Sequence, residues 1–150
     1  MSGIDVIVVG GGPAGASTAY GLARSGARVA VLDRARFPRP KPCAEYLSPQ
    51  ASRVLSEMGV LDAVEGAGAA QLAGMIVRAP NGACIRGRFL ARHGFRAFRD
   101  RGLSLPREVL DPILLDAARR AGAEVHEGVR VVDLARDRRG RVAGVVVLGA

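Results

Sequence analysis

At 150 residues the chain is long enough for one domain with a real core, and with 49% apolar residues it is not composed like a disordered chain. The net charge is +8, and of 22 basic residues all but Lys41 are arginine; beside so much alanine and glycine this matches the codon bias of a GC-rich genome, so the charge alone does not argue for nucleic acid. Cys43 and Cys84 make neither a disulfide framework nor a metal cluster, and no signal peptide or run of 18 apolar residues is present, so a cytoplasmic protein without a membrane span is expected.

The first element sets the frame for the rest. Asp5-Val-Ile-Val-Val9 reads as a buried strand and runs straight into Gly10-Gly-Gly-Pro-Ala-Gly15. Gly10, Gly12 and Gly15 satisfy G-x-G-x-x-G. Gly10 allows the tight turn out of the strand, Gly12 lets a pyrophosphate approach the backbone, and Gly15 lets the next helix pack close on the sheet. That helix is predicted from Ala14 to about Ser25, with Ala16, Ala19, Tyr20, Leu22 and Ala23 at three- and four-residue steps and Gly26 as its stop. Its N-terminus offers free N–H groups and the positive end of a dipole to phosphate. A second strand, Arg28 to Leu32, ends in Asp33, which lies 18 positions after Gly15. That is close to the spacing of about 20 expected for a carboxylate that accepts hydrogen bonds from a ribose.

Residues 34–47 hold three prolines within five positions and read as a stiff, basic, extended loop near the carboxyl ends of the strands. Ser48-Pro49 is an expected N-cap and first helical position, opening a helix to about Met58 that Gly59 ends, with one more turn over Leu61 to Val64. Met75 to Ala79, then Pro80-Asn81-Gly82, then Ala83 to Arg86 reads as a β-hairpin that leaves the βαβ rhythm. Residues 86–101 interleave six arginines (Arg86, Arg88, Arg92, Arg96, Arg99, Arg101) and His93 with Phe89, Phe95 and Phe98. This pattern suits single-stranded nucleic acid, or a solvated segment whose phenylalanines point inward. Leu103 to Arg107 leads into a helix, with Asp111-Pro112 as an expected second N-cap pair and Gly122 as its end. Glu124 to His126 is a short strand, and Val129 to Ala135 and Val142 to Leu148 are strands joined by a turn at 137–140. His93 and His126 are isolated, and no catalytic residue is assigned.

Four segments together resemble the FAD-dependent oxidoreductases of the p-hydroxybenzoate hydroxylase-like superfamily, which includes geranylgeranyl reductases, aromatic-ring monooxygenases and flavin-dependent halogenases. They are Asp5 to Gly15, Val31-Leu-Asp-Arg34, Lys41-Pro-Cys-Ala-Glu-Tyr-Leu-Ser-Pro49, and Arg107-x-x-x-Asp111 with the helix after it. The resemblance runs collinearly over the chain as its N-terminal part. It implies an α/β fold: a Rossmann-like, GR2-type FAD-binding domain with a β-rich excursion toward a substrate domain. Residues 1–71 and 103–150 would form the dinucleotide-binding part, and 72–102 the start of the substrate-domain strands. Carried over, Gly10, Gly12, Pro13, Ala14 and Gly15 would hold the FAD pyrophosphate, Asp33 the adenosine ribose, and Arg34 the adenine side. Arg107 would contact FAD, and Cys43, Ala44 and Glu45 would sit near the isoalloxazine, Ala44 standing where relatives carry glycine.

The resemblance further implies FAD as cofactor, NAD(P)H as a candidate electron donor, and a small-molecule substrate that is either reduced at a double bond or hydroxylated. Family members continue with an Ala-Asp-Gly strand and a later Gly-Asp motif that this sequence lacks, so it reads as truncated, with a second chain as one way of completing the fold. Three functional readings stay open: the FAD-binding portion of a flavoenzyme, a non-catalytic nucleotide-binding fragment, and a basic module for nucleic acid or other anions. NAD in place of FAD is a further option for this fold.

Overall fold

In the computed structural model the described residues are 3–43, 45–90 and 97–148. They form two units, Met1–Lys41 with Glu108–Ala150, and Pro42–Arg107. Helices 51–57 and 61–66 therefore group with the antiparallel strands, and the division falls at 41/42 and 107/108.

The first unit is a βαβ structure. Strand β1 (Val6–Val9), helix α1 (Pro13–Arg24) and strand β2 (Val29–Asp33) follow each other, and β1 and β2 pair in parallel from Val6 opposite Val29 to Val9 opposite Leu32. Every residue of β2 is buried, because it is the central strand; β8 (Glu124–Glu127) pairs with its other edge, also in parallel. A strand covered on both faces is a continuous apolar run, which is how Val29-Ala-Val-Leu32 is written. Ala16 and Ala19 of α1 are fully buried, so the helix is written with small residues where it packs on the sheet. Asp5 accepts hydrogen bonds from the backbone and guanidinium of Arg28, which hold its carboxyl down at about 2, and so tie the entry of β1 to that of β2.

Helix α4 (Arg107–Arg120) carries Leu110, Leu114, Leu115, Ala117 and Ala118 into the core of this unit. Its start corrects the expected cap at Asp111. The helix begins at Arg107, directly after Pro106, and Asp111 is a buried interior residue with Pro112 inside the helix. The burial of Leu110 favours the extra turn. Pro112 removes a single bond, to the Glu108 carbonyl, near an end whose first four N–H groups lack partners in any helix. The hairpin of β9 (Arg130–Arg136) and β10 (Val142–Leu148) completes the unit, with Asp137 accepting from the Arg139 and Arg141 N–H groups across the expected turn.

The second unit holds β3 (Tyr46–Leu47), α2 (Ala51–Glu57), α3 (Leu61–Gly66), β4 (Ala70–Leu72), β5 (Gly74–Arg78), β6 (Cys84–Arg88) and β7 (Gly102–Ser104). β7 is the middle of an antiparallel sheet in the order β3-β7-β4, and Leu103 on it is fully buried. Helix α2 starts two residues later than expected: Pro49 and Gln50 form a turn, although Ser48 Oγ does accept from the Ala51 N–H at 3.1 Å. β5 and β6 form the expected hairpin. Gly82 donates to the Ala79 carbonyl (3.0 Å) and has φ 87°, a turn closed by a left-handed glycine, as Asn-Gly sequences favour.

Candidate functional site: a glycine loop and a basic cleft

β1 ends where Gly10 turns the chain with φ 104°, a conformation that glycine alone enters freely. The turn is pinned from two sides. Gly10 donates to the Leu32 carbonyl (2.8 Å), and Gly11 donates to Asp33 Oδ2 at 2.7 Å in a buried bond. Gly11, a free position in the motif, turns out to be constrained as well. A Cβ there would lie 3.2 Å from Leu115 Cδ1 and 3.4 Å from the Phe37 ring. Gly15 packs closest of all, since a Cβ would lie 1.8 Å from the Gly10 carbonyl oxygen.

Gly12 is different. Its φ of −72° and ψ of −176° are extended values open to any residue, so the backbone does not demand glycine there. It precedes α1, whose first position is Pro13, and its carbonyl accepts the first helical bond from Ala16 at 2.8 Å. The N-terminus of α1 has no side-chain cap and no acidic residue in its first turn. Ala14 and Gly15 thus present N–H groups that the helix itself cannot use, at the end carrying roughly half a positive charge. This donor set fits a phosphate or pyrophosphate.

A cleft of about 500 Å³ opens beside this loop at the carboxyl ends of β1 and β2, lined by Val9, Gly10, Asp33 and Arg34 and by Arg130 and Val131 of β9. Asp33 is 7% exposed, and both its oxygens already accept backbone bonds, Oδ2 from Gly11 and Oδ1 from Ala35 at 2.8 Å. Each oxygen keeps a lone pair for a hydroxyl. Arg34, Arg39, Lys41 and Arg130 also line the cleft, so its walls are predominantly basic. The loop after β2 is stitched to the turn between β8 and β9: Glu127 accepts from the Phe37 N–H at 2.6 Å, Gly128 donates to Ala35, and Val129 donates to Asp33. Asp33 therefore builds the site as well as facing it. Asp33→Asn cannot accept at both oxygens, and it is expected to destabilise the ligand-free chain by about 1–3 kcal/mol. Urea unfolding without ligand checks this; unchanged stability would leave Asp33 with a ligand role only.

The structure brings Gly10, Gly12, Pro13, Ala14, Gly15, Asp33 and Arg34 into one region of the first unit. Cys43 and Arg107 belong to the second unit and do not line the cleft; Cys43 is exposed, and Arg107 opens α4. Ala44 lies outside the described residues, and Glu45 beside it adopts a left-handed φ of 56°, rare for a side chain of its kind. Sequence reasoning missed Arg39, Arg130 and Val131 as cleft residues. Arg130 and Val131 reach it because β8 pairs with β2, a long-range pairing that local pattern does not encode.

Of the basic, aromatic stretch, Arg92, His93, Phe95 and Arg96 lie outside the described residues. Arg99 is paired with Glu65 at 2.6 Å, Arg101 with Asp100 at 3.0 Å, and Phe89 stacks on Tyr46 at 6.1 Å between centroids. Its hydrogen bond to Arg99 holds the Glu65 carboxyl below the usual range. His126 Nε2 is 3.6 Å from Glu124, away from the cleft lining. Among the described residues no group of His, Cys, Asp and Glu is arranged to hold a metal, and no helix is long and apolar enough to cross a membrane.

Residues 3–148 match the FAD binding domain family. Among curated proteins, menaquinone reductase of Mycolicibacterium smegmatis is 33% identical over 95% of this chain and 33% of its own length. Digeranylgeranylglycerophospholipid reductase 1 of Methanopyrus kandleri is 36% identical over 94% of this chain and 34% of its own. Among solved structures, the myxobacterial chondrochloren halogenase, described as a variant of FAD-dependent halogenases, superimposes with a TM-score of 0.83 at 29% identity, over 97% of this chain and 33% of that one. The chain thus spans about a third of the length of the relatives it matches. On the match over 3–148 and the geometry of the glycine loop, the chain belongs to the FAD-binding domain family of flavin-dependent oxidoreductases.

Proposed function

We propose that this chain holds the FAD of a flavin-dependent reductase, with the pyrophosphate at the N-terminus of α1 and the adenosine half in the cleft beside Asp33. The observation that carries the reading is the uncapped first turn of α1 opening beside a basic cleft at the strand ends. In it the N–H groups of Ala14 and Gly15 donate to phosphate, Gly10 and Gly12 leave room for it, and Pro13 presents no competing donor. Asp33 accepts from the ribose, and Arg34 lies along the adenine. Cys43, Ala44 and Arg107 are assigned to the flavin and ribityl end by family resemblance alone. Bound FAD supplies the redox chemistry, while the protein supplies binding, orientation and electrostatics.

Reduction of a double bond is favoured because two curated relatives are reductases by name, of menaquinone and of digeranylgeranylglycerophospholipid. NAD(P)H is the natural candidate donor. Oxygen chemistry, as hydroxylation or halogenation, is the second reading, supported by the likeness to the halogenase. Residues 72–102, with the β5–β6 hairpin, are assigned to the start of the substrate-facing strands. Because the chain spans about a third of its relatives, the rest of the substrate pocket is assigned to polypeptide outside these 150 residues, on the same or a second chain. Two exposed cysteines, Cys43 and Cys84, outside any disulfide favour a reducing, cytoplasmic setting.

The test is the visible absorption spectrum of the purified chain after FAD is added and the sample desalted. Flavin bands travelling with the protein are expected. A folded but colourless protein would overturn the reading of the cleft as a working FAD site.

A further inference from the structure

Helix α4 carries a carboxylate into the core of the first unit. Asp111 is 0% exposed, and Arg39 NH2 stands 3.5 Å from its Oδ2. The Arg39 guanidinium also lies over the Phe37 ring, 4.9 Å from the centroid. Its other terminal nitrogen, NH1, is shut away from solvent with no hydrogen-bond partner among the described residues. A buried ion pair recovers its desolvation cost only when its geometry is excellent and its remaining hydrogen bonds are made. Here the closest approach is long for a charged hydrogen bond, and one nitrogen is left over. On the Arg39 side the pair is therefore not optimised for stability.

Position is a better explanation for the pair. Arg39 sits in the loop that follows β2 and lines the cleft together with Asp33, Arg34 and Lys41. The first half of that loop is tied down through Ala35 and Phe37, which bond to Gly128 and Glu127. The Arg39–Asp111 pair ties its second half to α4, which also packs Leu115 near Gly11 of the glycine loop. One helix thereby holds both the loop after β2 and the glycine loop.

We infer that Asp111 and Arg39 are a positioning pair: Asp111 fixes Arg39, and Arg39 sets the wall of the cleft against which the adenosine half of FAD rests. The inference rests on the reading of the cleft given above. Asp111 is buried, and its part in shaping the cleft is exerted through Arg39.

The test separates position from stability. In the 150-residue chain, Asp111→Leu combined with Arg39→Met replaces the ion pair by apolar groups, a change that is often neutral or stabilising. The double variant is expected to keep a cooperative thermal unfolding transition, yet to bind FAD about tenfold or more weakly by fluorescence titration. Wild-type FAD affinity in that variant would overturn the inference. Arg39→Lys, which keeps the charge but not the planar group on Phe37, is the second variant, with a smaller loss of affinity expected.

Amide hydrogen exchange of the ligand-free chain reads the same pair without FAD. Both variants should speed exchange about tenfold at Phe37, whose N–H donates to Glu127 and whose ring lies under the Arg39 guanidinium, while leaving the amides of α1 unchanged. Unchanged exchange at Phe37, or a rise throughout the chain, would overturn the positioning role. If the wild-type chain itself fails to take up FAD, the reading of the cleft falls, and the exchange result still decides whether the pair positions the loop.

Discussion

Gly15→Ala is expected to destabilise the chain by about 3 kcal/mol or more, near the upper range for forced overpacking. Helix propensity alone predicts the opposite sign, because alanine is favoured over glycine inside a helix by about 1 kcal/mol. The contact decides. The added Cβ would sit 1.8 Å from the Gly10 carbonyl oxygen, a backbone atom that moves only if the whole turn moves, and 3.2 Å from Val8 Cγ1. Gly21, in the same helix, has nothing within 4 Å of an added Cβ. Gly21→Ala should therefore stabilise by about 0.5–1 kcal/mol, free of any clash. For a chain of this size the two substitutions should move the melting temperature in opposite directions, roughly 10 °C down and a few degrees up. Thermal unfolding of both variants beside wild type is the measurement. A neutral Gly15→Ala would mean that α1 does not pack on the Gly10 turn as described.

Gly12→Val should separate ligand binding from folding. The extended backbone at Gly12 (φ −72°, ψ −176°) accepts valine without strain, so the expected folding cost is about 1 kcal/mol, for a poor N-cap residue. A branched side chain at the mouth of α1 would stand where a pyrophosphate must approach. FAD affinity should fall at least ~100-fold, or about 3 kcal/mol. The two glycines thus carry different burdens in one motif: loss of Gly15 should abolish binding by unfolding the site, and loss of Gly12 by filling it. FAD titration and thermal unfolding of the same sample distinguish them. If Gly12→Val folds and still binds FAD with wild-type affinity, the pyrophosphate does not lie at the N-terminus of α1.

Local pattern was enough for the strand, glycine loop, helix and strand of residues 6–33, with Asp33 at the end of the second strand, and for the hairpins at 74–88 and 130–148. Each is written within a few residues of itself: a continuous apolar run, small residues at helical spacing, a glycine at each forced turn, and Asn-Gly or Asp-x-x-Gly between strands. Glycine motifs are legible because the demand they answer is steric and lies close by in the chain.

The start of α4 was not legible. Asp111-Pro112 has the form of a helix start, and only the burial of Leu110 and Asp111 draws the helix back to Arg107. Nor could the sequence reveal that Asp33 holds Gly11, that Arg130 and Val131 wall the cleft, or that Arg39 faces Asp111 across 72 positions. Those relations arise when β8 pairs beside β2 and α4 packs against the glycine loop. Residues so far apart in the chain meet only once the core has formed, and a buried charge takes its meaning from the partner that burial gives it.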